Sequence, residues 1–209
     1  MASALIHLAV AKKLTENINI KNRKDYYLGS IAPDLSKQIG LNKMSSHFLI
    51  HTKEDVPNTE MFINKYPNFM NNEFELGYFI HLYTDKLWFD GFLNNFICNN
   101  SIKLLDGTII ETTKEEMQNM IYSDYTNMNI QLIDKYDMDL SLFYEEFQEP
   151  KTEINEIPTN NLDILINKMG ILISNSQEEK AYTIDIYLVE NFIDYACEEI
   201  LKELESLKK

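Results

Sequence analysis

From Asn72 to about Ile97 the chain reads NEFELGYFIHLYTDKLWFDGFLNNFI, apolar almost all round, and such a run predicts a helix at the centre of the fold. Asn72 with Glu75 three residues on has the form of a capping box at its start. His81 and Asp85 are four apart on it, so both project from one face, one turn apart. A lone buried carboxylate costs at least several kcal/mol, roughly the whole stability margin of a small domain. Asp85 therefore needs a cation or hydrogen-bond donors. Gly77 lies one turn before His81, although glycine inside a helix costs about 1 kcal/mol relative to alanine, so another group has to approach closely there. Taken alone, the His81–Asp85 pair reads more readily as a hydrogen-bonded core pair than as a metal site.

Weaker periodicities fill in the rest. Ser3 to Leu14 predicts a helix capped by Ser3, with His7 on its apolar stripe. Short helices are expected over Asp25–Gly29, around SSHFLIH, and from Asn58 to Tyr66, where Pro67 stops the last one. Pro33 places Asp34 near a chain turn. Lys103–Ile110 reads as a hairpin around Asp106-Gly107, and Thr113 with Glu116 opens a helix expected to break near Asp124–Asn127, before another helix around Leu140–Phe147. Gln148–Asn160, with two prolines and many charges, reads as a connector. Beyond it come a helix over Leu162–Met169 with Gly170 as its stop, a small hairpin over Ile171–Ile186 around Asn175-Ser176, and a last helix from Ile186 to Leu207. The expectation is a mainly all-α chain with one or two small β-hairpins, divided into a helical core over residues 1–150 and a C-terminal hairpin and helix over 151–209 that pack on it.

Composition narrows the partners. The 209 residues are 44% hydrophobic and 11% aromatic, so the formal charge of -14 sits on a folded surface. That field repels nucleic-acid phosphates and anionic bilayers, and suits a cationic metal. Cys98 and Cys197 stand far apart in apolar patterns, without CxxC spacing, and read as small core residues. The apolar run Ala4–Ala11 is short and lacks a basic leader, and no run approaches a membrane span, so cytoplasmic residence is the expectation.

In order along the chain stand a histidine on the first helix, GSIAPD, SHF and GYFIHLYTD. This pattern resembles the zinc-dependent phospholipase C family, whose helical core, shared with fungal single-strand nucleases, gathers histidines and aspartates around up to three zinc ions. The resemblance covers roughly Ala4 to Phe89. It implies that Asp34, His47, His81 and Asp85 match the ligands of the family's first zinc and that His7 matches the first-helix histidine. His7 and Asp85 would then help to hold a neighbouring ion. In that family the mature N-terminal residue also ligates, and small Ala2 follows Met1 here.

No histidine follows His81, so the family's later ligands have no counterpart and a three-ion cluster is not expected. Asp90, Asp124 and Asn127 are the polar groups available as substitutes. His51, four residues after His47, mimics zincin spacing, but HFLIH lacks the glutamate of HExxH and reads as a surface or supporting residue. There is no His-Asp dipeptide, no GxSxG, no Gly-rich phosphate loop and no basic aromatic pattern. The resemblance implies a metal-dependent phosphoester hydrolase in which Asp34 could also accept the proton of the attacking water, the choice of carboxylate as base being left open. The missing later ligands reduce the expected zinc to one or two ions, and the acidic surface, the lack of a leader and the lack of a lipid-docking module point, despite the resemblance, to a small soluble phosphoester as substrate. The alternative is a non-catalytic metal-binding interaction domain of the same fold. Tyr66, Trp88 and Phe89 read as core rather than as a lipid-facing rim.

Overall fold

A computed structural model describes residues 2–52, 55–176 and 181–208. The chain is mainly all-α, as its periodicities predict, with one small antiparallel sheet. Helix α1 (Ala4–Leu14) begins at Ser3, whose hydroxyl accepts the Ile6 N–H. Helix α2 (Arg23–Ile31) passes into a 3-10 turn over Ala32–Asp34, which Pro33 fits because its fixed φ and missing N–H cost nothing at a first turn. Two single-turn helices follow, α3 (Leu35–Gln38) and α4 (Lys43–Ser46), and then α5 (Thr59–Lys65), capped by Asn58 and ended before Pro67.

Helix α6 (Glu73–Leu87) is the central element, with every residue from Phe74 to Asp85 buried. Asn72 caps it through the Phe74 and Glu75 N–H groups. Glu75 does not close the expected box: its carboxylate accepts from Thr152 Oγ1 and the Glu153 N–H, and so ties the connector to the core. The α-helix also ends earlier than Ile97. It changes to a π-turn at Trp88–Phe92 and a 3-10 turn at Leu93–Asn95, where the large rings of Trp88 and Phe92 crowd together at 4.4 Å. Trp88 and Tyr66 are buried, as core residues should be.

Strands β1 (Ile97–Cys98), β2 (Ser101–Lys103) and β3 (Ile109–Glu111) form a sheet in that order. The Asp106-Gly107 hairpin is present, with Gly107 at φ 88. An unforeseen second turn through Asn99, at φ 54, pairs β1 with β2 and leaves Cys98 exposed, not in the core. Helix α7 (Lys114–Lys135) starts with the expected Thr113–Glu116 box and runs unbroken past Asp124. The polar groups there are absorbed sideways: Asp124 accepts the N–H groups of Tyr182, Thr183 and Ile184 at 2.7, 2.8 and 2.9 Å. The segment around 140 is a single 3-10 turn, Leu140–Phe143.

Helix α8 (Leu162–Ser174) continues through Gly170, so no strand forms over residues 171–174 of the expected second hairpin, of which residues 177–180 lie outside the described ones. Without a left-handed φ to use there, a glycine is simply tolerated inside the helix. Helix α9 (Ile186–Ser206) buries Phe192, Ala196, Ile200 and Leu204. It packs on α1 and α6, while α8 packs on α3 and α7. Among the described residues no helix is long and apolar enough to cross a membrane.

The tightest junction is α2 against α6. A Cβ on Gly77 would lie 2.1 Å from the Tyr26 carbonyl oxygen, and one on Gly29 would lie 2.0 Å from that of Phe74. The close approach that Gly77 implied is therefore the backbone of α2, and it brings the end of α2 to His81.

Candidate metal centre

Three segments converge on α6. His7 comes from α1, Asp34 from the turn after α2, and His47 from the residue that ends α4; all meet His81 and Asp85. The five are 0, 7, 1, 0 and 1% exposed in that order, so water does not solvate them freely.

The two best-placed histidines are held by their outer nitrogens. His81 Nδ1 donates to the Ser30 carbonyl at 2.9 Å. His47 Nδ1 lies 2.9 Å from Ser46 Oγ, whose own proton goes to the Lys43 carbonyl, so the imidazole is the donor. Both rings are thereby fixed as Nδ1–H tautomers, assigned from their partners, with the Nε2 lone pairs turned inward. Those Nε2 atoms lie 3.3 Å apart. If neither Nε2 carries a proton, the two rings oppose lone pair to lone pair, and a metal ion between them relieves this, as a shared proton would. A tetrahedral ion with bonds of about 2.0–2.1 Å separates its ligand nitrogens by roughly 3.3–3.4 Å.

The carboxylates complete the arrangement. Asp85 Oδ2 is 3.8 Å from both His47 Nε2 and His81 Nε2, and Asp34 Oδ1 is 3.7 Å from His47 Nε2. Asp85 Oδ1 accepts the Ala2 N–H at 2.8 Å and lies 3.3 Å from His7 Nε2, with an alignment that makes no hydrogen bond. His7 stacks on His81 with ring centroids 3.7 Å apart. Both His7 nitrogens, Asp34 Oδ1 and Asp85 Oδ2 are buried without a hydrogen-bond partner. A buried polar atom so orphaned costs about 1–3 kcal/mol, and more when charged. A metal ion would use the orphaned oxygens of Asp34 and Asp85 and one of the two His7 nitrogens. The donor set of imidazole nitrogens and carboxylate oxygens is one that zinc accepts. Two overlapping groups satisfy the spacing, His47–His81–Asp85 and His7–Asp34–His81.

Electrostatics keep the donors in ligating form. Burial pushes the His81 pKa down to about 3, helped by neighbouring His7, so the ring is neutral at working pH. Burial pushes Asp34 upward, but His47 beside it, together with His81 and His7, more than offsets this and holds the acid at about 2. For Asp85 burial is likewise outweighed, with His7 and His81 among the groups that favour the ionised form, and its carboxyl stays well below the usual carboxylate range.

Of the substitutes considered for a third ion, Asp124 has both oxygens committed to backbone N–H groups, and Asp90 is exposed on the π-turn. Asn127 is buried on α7. His51 is exposed, and its backbone N–H donates to Asp55 Oδ2. Ser30 and Ser46, which orient the two histidines, escaped the sequence reading, although both stand inside its motifs, in GSIAPD and next to His47. Beside Asp34 opens a cavity of about 400 Å³, walled by the start of α1, by α7 and by α8.

No curated protein and no solved structure matches the chain. The sequence model of the family described as zinc dependent phospholipase C matches residues 6–88, a span that begins beside His7, contains Asp34, His47, His81 and Asp85, and ends just after α6. Over that segment, the chain is similar to the zinc-dependent phospholipase C family.

Proposed function

We propose that the protein is a metal-dependent phosphoester hydrolase that holds one or two zinc ions through His7, Asp34, His47, His81 and Asp85. The observation that carries this reading is the pair of inward Nε2 atoms 3.3 Å apart beside the orphaned oxygens of Asp34 and Asp85. Asp34, His47 and His81 would hold the first ion, and Asp85, with one oxygen towards His47 and His81 and the other towards His7, would help to hold it and a second. Bound zinc supplies Lewis-acid polarisation of a phosphoryl oxygen and a lowered pKa for water. Asp34, at the cavity wall and ionised at any working pH, is the group placed to accept a proton from attacking water. Such a weak base works only on a strongly acidified water, as the metal reading requires.

The substrate is a soluble phosphoester rather than a bilayer lipid, because a chain of charge -14 is repelled by anionic membranes. Turnover of a water-soluble phosphodiester, compared with phosphatidylcholine vesicles in the presence of zinc and then of chelator, tests this. Metal-dependent cleavage confined to vesicles overturns it. The absence of any histidine after His81, and the commitment of Asp124 elsewhere, favour a second reading: a metal-binding interaction domain without catalysis. Retained zinc with no turnover of either substrate selects that one.

A further inference from the structure

His47 reaches the centre from a weak scaffold. It ends α4, a single helical turn, and one turn of helix does not hold its shape by itself. The backbone that follows is unusual. Phe48 lies in the left-handed region at φ 53, where Asn99 and Asp137 also lie among the described residues. Asn and Asp tolerate that region, whereas a bulky aromatic residue rarely adopts it, because its Cβ crowds the following carbonyl oxygen. The hydrogen bonds account for the turn. The Phe48 N–H donates to the Ser45 carbonyl at 3.1 Å and the Leu49 N–H to the Met44 carbonyl at 2.9 Å, the closing pattern of a helix end whose left-handed position is usually glycine.

Two sets of contacts hold this strained turn. The buried Phe48 ring packs edge-on against Phe62 and Tyr66, with centroids 5.4 and 6.5 Å away, and its carbonyl accepts the Asn58 N–H at 3.1 Å. The other set comes from α6. Buried Tyr78 donates its hydroxyl at 2.6 Å to the Ser46 carbonyl, the oxygen of the peptide bond that enters His47. Burial raises the Tyr78 pKa, so the hydroxyl stays a donor. Ser46 is thus fixed at its carbonyl while its Oγ accepts from the His47 ring at 2.9 Å. Tyr78 stands three residues before His81, so one helix supplies His81 and Asp85 and also grips the peptide of His47.

We propose that Phe48 and Tyr78 are positioning residues for His47, holding its Nε2 at the centre before any metal arrives. Backbone strain of this kind persists only where the surroundings enforce it. The left-handed turn at Phe48 sets the direction in which the chain leaves His47, and the Tyr78 bond fixes its peptide against α6. When either is released, the fraction of molecules competent to bind zinc falls, and the apparent affinity falls by the same factor. The inference rests on the metal reading of the centre and adds what preorganises it.

The test is zinc titration of the full chain, stripped by chelator and held well below its Tm, where affinity does not follow global stability. Phe48→Gly and Phe48→Ala lose the same ring, so the Tm of the chelated protein falls in both, but only glycine enters the left-handed region freely. Phe48→Ala should therefore bind zinc roughly fivefold more weakly than Phe48→Gly. Tyr78→Phe keeps its ring and loses one hydrogen bond; it should bind zinc roughly three- to tenfold more weakly than wild type, with unchanged stoichiometry. Equal zinc affinity in the two Phe48 variants, or wild-type affinity in Tyr78→Phe, overturns the inference and leaves the metal reading standing. Should the Phe48 variants fail to fold, Tyr78→Phe alone decides it. Failure of the wild-type chain to take up zinc ends both.

Discussion

Replacing Gly77 with alanine tests how the fold builds the centre. The new Cβ would sit 2.1 Å from the Tyr26 carbonyl oxygen and 2.8 Å from the Ser30 backbone nitrogen, both backbone atoms that cannot rotate away. Ordinary contact between carbon and oxygen requires more than 3 Å, so α2 and α6 must separate by about 1 Å. Alanine contributes about 1 kcal/mol through helix propensity. Loss of the His81 Nδ1 bond to the Ser30 carbonyl, which crosses the same junction at 2.9 Å, costs about as much and cancels it. What remains is the overpacking cost, about 3 kcal/mol at the upper end of its usual range. For a chain of this size that corresponds to a fall in Tm of roughly 6–12 °C. Thermal denaturation of the chelated protein measures it, and zinc titration of the same variant reads the second consequence, weaker metal binding because His81 is no longer oriented. An unchanged or raised Tm with wild-type zinc affinity would refute the reasoning.

Two further outcomes follow from the same contacts. In the chelated protein, His81 is held down at about 3 and Asp34 at about 2, while their unfolded counterparts titrate near 6.5 and 3.8. The unfolded chain takes up protons first, so stability is full above about pH 6.5 and declines as pH falls towards 3; a Tm that stays flat or rises between pH 7 and 5 contradicts this. Asp124→Ala removes the acceptor of three backbone N–H groups and should cost roughly 2–4 kcal/mol in denaturant unfolding without lowering zinc content; lost zinc would return Asp124 to the ligand set.

The candidate site was more legible in the sequence than the elements that carry it. His81 and Asp85 stood out because a buried carboxylate on an apolar helix demands a partner, and Gly77 because a helix interior disfavours glycine; both inferences concern costs that a single chain position reveals. The order of His7, Asp34, His47 and His81 added the resemblance to the family. The convergence of these residues depends on α2 lying against α6, which Gly29 and Gly77 permit together, and only Gly77 drew notice. Element ends were harder. Ile97 looked like the end of the central helix because apolar character continues through Trp88–Phe92, but periodicity cannot distinguish a π-turn from an α-turn. Asp124 looked like a break in α7 because polar groups disrupt an apolar stripe; its partners lie nearly 60 residues further on, beyond the reach of local pattern. Gly170 looked like a stop, yet nothing beyond it needs a left-handed residue, and tertiary packing carries α8 through.

The central claim is that His7, Asp34, His47, His81 and Asp85 together hold zinc, and metal content measures it directly. Elemental analysis of the freshly purified wild-type chain should find one or two zinc ions per molecule, retained in His51→Ala and lost in His81→Ala and Asp34→Ala. A wild-type chain with no stoichiometric metal that takes up none when zinc is added would contradict the account and leave the five residues as a polar core alone.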